Sequence, residues 1–542
     1  MMRRMYFDFW NNPIVVSAFR LRYRRGRAHL TALYVLALAA GGAVLNYYQD
    51  RIHPARWQHV YFVALISLQM AVSALRAVTA TSASMKAEIT QRTLDFQRIA
   101  AMSPGQILVG KLLGEPAQAY ILAMSTIPLG VLCWLWGGVE FDALVLVYVQ
   151  LFTTTIMFGA LGLLHRIEQS EGKSKTTRGP EWLVFTFIIN IFIFTPVIIS
   201  TRMSVLGIPG LGALVGLATP LPAIYGIAVQ DPWHYGLAFF GVEIPYLLVT
   251  PISQLAIALM CFHMMVRQLR NPLNPPWSKR TAYAILIVLD LLAAGILWDP
   301  IVGLSVDRRA SAFCLFHLLA SFFLMAGMTS WRESLHSWVW RIRGTRPWLR
   351  DLWLGDRSEN GLALLTFCFI GIGSLFLLVT WPVVKGGTSM TRPEWLHLLA
   401  AAGTMALLIL AFGTLYQWLA FFAGKSGFGM TLTAIVFAVV IPHWAGFYFE
   451  LPWIASFSPS YHFGRWLFDT QFAPNNLMTS GGRSPALISS PYKPAMVASL
   501  LPMVASYAGV LLVIWYSLRL SMRKLERMID NKLVRMGAIA KN

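Results

Sequence analysis

The sequence predicts an all-α protein that crosses a membrane many times, organised as two halves of six helices each. Three observations carry that prediction. Of 542 residues, 56% are hydrophobic and only 13% charged, with a mean hydropathy of +0.58; a soluble domain carries about a quarter charged residues. Apolar runs of roughly 18 to 25 residues recur along the whole length, each able to cross a hydrocarbon layer about 30 Å thick. The order of apolar runs, loops and basic segments is repeated once.

Lipid offers no partner to backbone N–H and C=O groups, so the spanning runs must be helices. Twelve are expected, near 28–48, 59–81, 116–136, 142–164, 182–201, 237–266, 281–298, 311–330, 361–380, 396–423, 429–449 and 499–518. The first leads straight into the second and lacks a small-residue cleavage site, so it reads as a retained span and not a removed signal peptide. With the N-terminus inside, Lys and Arg divide roughly three to one in favour of the cytoplasmic segments, which orients the chain with both termini in the cytoplasm. The net charge of +20 then describes a basic rim facing anionic lipid and not a nucleic-acid surface.

The elements follow in order. Residues 1–27 precede the first span, and "NNPIVVSAFRLRYRRGR" (11–27) offers Asn12 as a helix N-cap and Pro13 as the first helical residue. Ile14, Ala18 and Leu21 make its apolar stripe, the pattern of a helix lying in the membrane interface. A first half (28–270) carries a basic cytoplasmic segment at 86–115. A second half (271–518) carries a corresponding segment at 331–360 and the longest outer stretch, 451–498. Each half ends in a Pro- or Gly-rich outer stretch, "LATPLPAIYGIAVQDP" (217–232) and "LPWIASFSPSYHFGRWLFD" (451–469), followed by a last span. Such internal duplication is common in transporters and places the substrate path between repeats. The tail 519–542 continues a charged helical pattern from 517, readable as an interfacial extension of the last span or as a docking surface. Cys133, Cys261, Cys314 and Cys368 all fall in apolar runs at irregular spacing, as small buried hydrophobes do.

One stretch imitates a nucleotide site. "SPGQILVGKLLG" (103–114) places Gly105, Gly110 and Lys111 at the spacing of a phosphate-binding loop. That loop needs a preceding buried strand and a Ser or Thr after the lysine to hold Mg²⁺. Here Leu112 follows Lys111 and "EITQRTLDFQRIAAM" precedes the motif, so no ATPase site is expected in this chain. The stretch 88–101 reads instead as a short amphipathic helix. Ile89, Leu94 and Ile99 are its apolar residues; Arg92, Asp95 and Arg98 are charged. Ser103-Pro104 ends it, because the residue before proline disfavours the α region. Gly105 and Gly110 then permit close helix approach, and Lys111 can snorkel to the headgroups.

The elements Glu88, Thr93-Leu94, Ile99 to Met102, Ser103-Pro104 and Ile107 to Gly110-Lys111 together resemble the first cytoplasmic loop of ABC-2-type permeases, the membrane subunits of ABC (type V) exporters. Asn12-Pro13 before a basic amphipathic helix is also similar to that family. Arg92 departs from it, standing where glycine commonly precedes Thr-Leu. The resemblance implies that the helix around 88–101 sits in a cleft of a separate ATP-binding subunit, present in two copies, and transmits its motion. ATP and Mg²⁺ would then belong to that partner, and this chain would hold no cofactor and catalyse nothing itself. It further implies a bacterial inner membrane, short re-entrant helices near Pro220, Pro222, Ser458 and Pro459 as an outer gate, and homo- or heterodimerisation of the permease as an open possibility. By position, "WRESLHSWVWRIR" (331–343) is the counterpart in the second half, without the Ser-Pro and Gly-Lys.

Charges inside spans are costly. Asp290 stands mid-span in "AILIVLDLLAAGIL", Arg76 toward the inner end of the second span, and Glu243 in "FFGVEIPYLL". Asp290 is open to two readings, a proton or cation site and a partner for a neighbouring helix; His317 reads as a satisfied core residue. No HExxH, GxSxG or clustered carboxylates occur. Two alternatives to an export permease remain, a twelve-span transporter driven by an ion gradient and a membrane-embedded lipid or glycan transferase.

Overall fold

The computed structural model describes residues 12–24, 28–47, 57–91, 93, 102–136, 139–170, 217, 219–228, 233, 236–271, 274–297, 306–329, 338, 349–356, 358–384, 392–423, 430–431 and 493–535. They form a multi-pass helical membrane protein. Among them, eight helical stretches are long and apolar enough to cross a membrane, and two shorter apolar helices, His29–Val44 and Ala312–Met328, accompany them. The expected spans 182–201 and 429–449 lie outside the described residues, apart from 430–431.

The chain divides into two compact units, with the main boundary between Pro272 and Leu273. In the first unit, α1 (Pro13–Arg24), α2 (Ala28–Tyr47) and α3 (Trp57–Gln91) are followed by three short helices, α4 (Pro104–Gly114), α5 (Ala117–Ser125) and α6 (Ile127–Leu135). Then come α7 (Phe141–Ser170), α8 (Leu221–Ala228), a hairpin of β1 (Gly236–Phe239) and β2 (Val242–Pro245), and α9 (Tyr246–Arg270). The centre of the unit is α7, packed between α3 and α9. Phe62, Leu65, Met70, Val147 and Leu151 fill one part of its core, and Ala77, Leu108, Phe158, Ala160 and Met265 another.

Several sequence expectations change here. The helix of the second span does not end near residue 81. At 35 residues, α3 is about 52 Å long, well beyond a hydrocarbon core, and its last turns carry Ser84 and Glu88. Residues 88–91 therefore end that long helix instead of opening a separate one. The expected third span is broken at Thr126, because Pro128 in the first turn of α6 has no N–H to continue the ladder. At the break the Thr126 carbonyl, which already accepts from the Leu129 and Gly130 N–H groups, also accepts a hydrogen bond from the Tyr148 hydroxyl at 3.0 Å. The span expected from 237 begins only at Tyr246, since its first residues form the hairpin, turned at Phe240 and Gly241 with φ of 51° and 80°. Glu243 consequently sits exposed in β2 and not within a helix.

In the second unit, α10 (Lys279–Leu297), α11 (Val306–Met328) and α13 (Gly361–Val384) pack together, with α12 (Leu349–Leu354) against α10 and α13. The long α14 (Arg392–Ala423) packs on α11 and α13, and α15 (Lys493–Arg535) packs on α14. The charged tail is no separate element at 519; α15 runs from the last span through Arg535 without a break. The four cysteines are buried and free.

Candidate functional site

The segment that resembles a coupling loop is fastened at both ends. Ser103 caps α4: its hydroxyl accepts from the Gln106 N–H at 3.2 Å, while Gln106 Oε1 accepts from the Ser103 N–H at 2.9 Å. With Pro104 at the first helical position, this is a complete capping box. Ser103-Pro104 thus starts a helix; the stretch it is expected to end lies, for residues 94–101, outside the described residues. Gly110 and Lys111 lie inside that helix, not in a phosphate-cradling loop.

Lys111 does not reach for headgroups. Its side chain is fully buried, with Nζ 2.5 Å from Glu88 Oε1, and it donates to Ser84 Oγ at 3.3 Å. Ser84 in turn donates to Glu115 Oε1 at 2.8 Å. Snorkelling fails because α4 is enclosed by α1, α3, α7 and α9, and a buried ammonium needs a counter-charge. The last turns of α3 supply it.

Asn12 joins α1 to the same helix. Its Oδ1 accepts from the Ile14 N–H at 3.0 Å, capping α1, and its Nδ2 donates to the Gln106 carbonyl at 2.8 Å. Contact along the two helices is allowed by Gly110 and Gly114. A Cβ on Gly110 would stand 2.7 Å from Ile14 Cβ, and one on Gly114 2.8 Å from Ala18 Cβ. The face α1 turns inward holds Val15 and, of the expected stripe, Ala18, and it packs on protein. Thr93 donates to the Glu88 carbonyl at 3.4 Å. Arg92, Leu94, Asp95, Arg98 and Ile99 lie outside the described residues.

The second unit holds a buried pair. Asp290 on α10 places Oδ1 and Oδ2 at 2.8 and 3.0 Å from His317 Nδ1 on α11. His317 Nε2 is 3.2 Å from the Phe367 carbonyl oxygen on α13 and 3.3 Å from Ser321 Oγ. Both residues are essentially inaccessible. The Phe313 ring stacks on the imidazole, with centroids 6.1 Å apart, and Gly371 leaves the space the ring occupies. Sequence reading singles out Asp290 and takes His317 as a core residue without joining the two, because nothing in helical spacing pairs residues of two different helices.

Two polar groups escaped the sequence reading altogether. Lys279, the first residue of α10, is fully buried and donates to the Leu352 carbonyl at 2.9 Å, Ser358 Oγ at 2.8 Å and the Glu359 carbonyl at 2.7 Å. It ties residues 349–360 to the start of α10. In the first unit, α7 and α9 meet through glutamines. Gln254 Oε1 accepts from the Thr153 and Thr154 hydroxyls at 3.0 and 2.9 Å, and the Thr250 hydroxyl lies 2.7 Å from Gln150 Oε1. Neutral amides rarely register as a site signal, although buried in apolar helices they need partners as much as charges do.

Of the remaining candidates, Arg76 is exposed on α3 and donates to Gln118 Oε1 at 2.8 Å. Pro220 and Pro222 stand at the start of α8, an eight-residue buried helix packed on α9 and α3. Ser458 and Pro459 lie outside the described residues, as does 331–343 except for the buried Trp338. No family model, curated protein or solved structure matches the chain. The fold defines a class, a multi-pass helical membrane protein whose two compact units each bury a lysine.

Proposed function

We propose that the chain is the membrane-spanning permease subunit of an ABC-2-type exporter, with two six-span halves fused in one polypeptide. The observation that carries this reading is the fastening of the 92–101 segment. On one side it leaves Glu88, paired with Lys111; on the other it enters α4 through the Ser103 cap, against which α1 is locked by Asn12. A push on the segment is thereby delivered to α1, α3 and α4 together. A separate ATP-binding subunit, in two copies carrying ATP and Mg²⁺, supplies that push at the cytoplasmic face. The basic rim rests on anionic lipid, and both termini lie in the cytoplasm of a bacterial inner membrane. ATP binding shifts the population toward an outward-open path, past the outer gate at Pro220, Pro222, Ser458 and Pro459.

The buried Asp290–His317 pair favours a second reading, a transporter driven by an ion gradient. Purification from native membranes separates the two. Co-purification of an ATPase subunit, lost in the Leu94→Asp, Ile99→Asp double variant, supports the exporter. Transport that follows a proton gradient without ATP overturns it.

A further inference from the structure

His317 Nε2 faces two partners of opposite kind. The Phe367 carbonyl oxygen at 3.2 Å can only accept a hydrogen bond, whereas the Ser321 hydroxyl at 3.3 Å can donate one. Nδ1 meets both carboxylate oxygens of Asp290, so with Asp290 ionised Nδ1 carries a hydrogen. Two protonation states then each give Nε2 a partner. With Nε2 protonated, it donates to Phe367 and the imidazolium–carboxylate pair is neutral overall. With Nε2 bare, it accepts from Ser321 and the pair carries one negative charge. Only the Ser321 hydroxyl need rotate between them.

We propose that Asp290 and His317 form an intramembrane proton-binding site that loads and unloads one proton at His317 Nε2, with the Phe367 carbonyl and the Ser321 hydroxyl as alternate partners. On unloading, the Nε2–H bond breaks, its electron pair stays on the ring, and the proton passes to water entering between the helices. The neutral loaded state is the resting one, because an isolated charge in the hydrocarbon region is costly.

The surroundings suit this role. Asp290 lies about 16 Å along α10 from Lys279 and about 10 Å from Leu297, and a Cβ on Gly371 would stand 2.4 Å from Nε2. Other titratable groups on the packed helices are few or engaged elsewhere. On α10, Tyr283 donates to the Trp353 carbonyl, and Lys279 is held by the carbonyls of 352 and 359. On α11, Cys314 is close enough to Asp290 to interact electrostatically, and Arg309 stands two turns before His317. On α13, the Cys368 thiol faces the Ala406 carbonyl, and on α14 Tyr416 donates to the Ala326 carbonyl.

The test uses the full chain in lipid nanodiscs with isotope-labelled histidine. The His317 ring nitrogens are assigned by their loss in His317→Gln and followed by magnetic resonance from about pH 5 to about pH 9, the span over which histidine ordinarily changes charge. Expected are both nitrogens protonated at the acid end and only Nδ1 protonated at the alkaline end. Ser321→Ala, which removes the donor to bare Nε2, shifts the ratio of the two states toward the doubly protonated ring by about twofold or more at a given pH. A doubly protonated ring at every pH shows a fixed ion pair and overturns the proposal. A ring neutral throughout does the same, as does a titration unaffected by Ser321→Ala. Each result is independent of whether ATP drives the chain.

Discussion

Lys111 Nζ stands 2.5 Å from Glu88 Oε1, joining the lysine of the Gly110-Lys111 pair to the end of a helix 23 positions earlier. The lysine side chain is wholly buried and the glutamate keeps 21% of its exposure. That asymmetry decides what removing either partner does.

Lys111→Met leaves a largely enclosed carboxylate without its counter-charge, and the cost of breaking such a pair is about 3 kcal/mol. Glu88→Gln strands the more deeply buried ammonium and costs at least as much, although Ser84 softens it. The double variant recovers most of the loss, because no charge is left buried. Thermal unfolding of the three proteins in detergent measures the coupling; additive losses would show that the pair contributes nothing of its own.

Packing of α1 on α4 depends on two glycines. Gly110→Leu drives a side chain into Ile14 and Asn12, at an overpacking cost of about 1–3 kcal/mol. Release of α1 exposes its arginine-rich end, so limited trypsin digestion is expected to cut near residues 20–27 faster than in the native chain.

Asn12 performs two separable tasks. Asn12→Asp keeps the cap on the Ile14 N–H and loses the donor to the Gln106 carbonyl, whereas Asn12→Ala loses both. The cap is worth about 1 kcal/mol, so the alanine variant is expected to melt lower than the aspartate one. Equal losses would place the whole contribution in the bond between helices.

Gly371→Ala puts a methyl group where the His317 ring now lies, 2.4 Å from Nε2. The ring must turn away from the Phe367 carbonyl, at about 1–3 kcal/mol, and the His317 resonances shift while the other histidines keep theirs.

Much of the local structure was legible. The Asn12-Pro13 start of α1, the positions of eight spanning helices and the closeness permitted by Gly110 all follow from hydropathy and cap chemistry. Ser103-Pro104 reads in the sequence as a stop, whereas the structure shows it as a start, since a capping box needs the Gln106 side chain three residues on. The hairpin around Glu243 is not legible because hydropathy alone does not distinguish a short apolar hairpin from the first turns of a helix; Gly241 is the available signal.

The sequence by itself determined the class: composition forces helices wherever lipid denies the backbone other partners. Only the tertiary structure decided which side chains meet. Spanning helices are apolar on nearly every face, so periodicity does not say which face turns toward a neighbour. Lys111 found Glu88, Asp290 found His317 and Lys279 found the carbonyls of 352 and 359 because a buried charge must be matched wherever packing sets it, and those partners stand 23, 27 and more than 70 residues away.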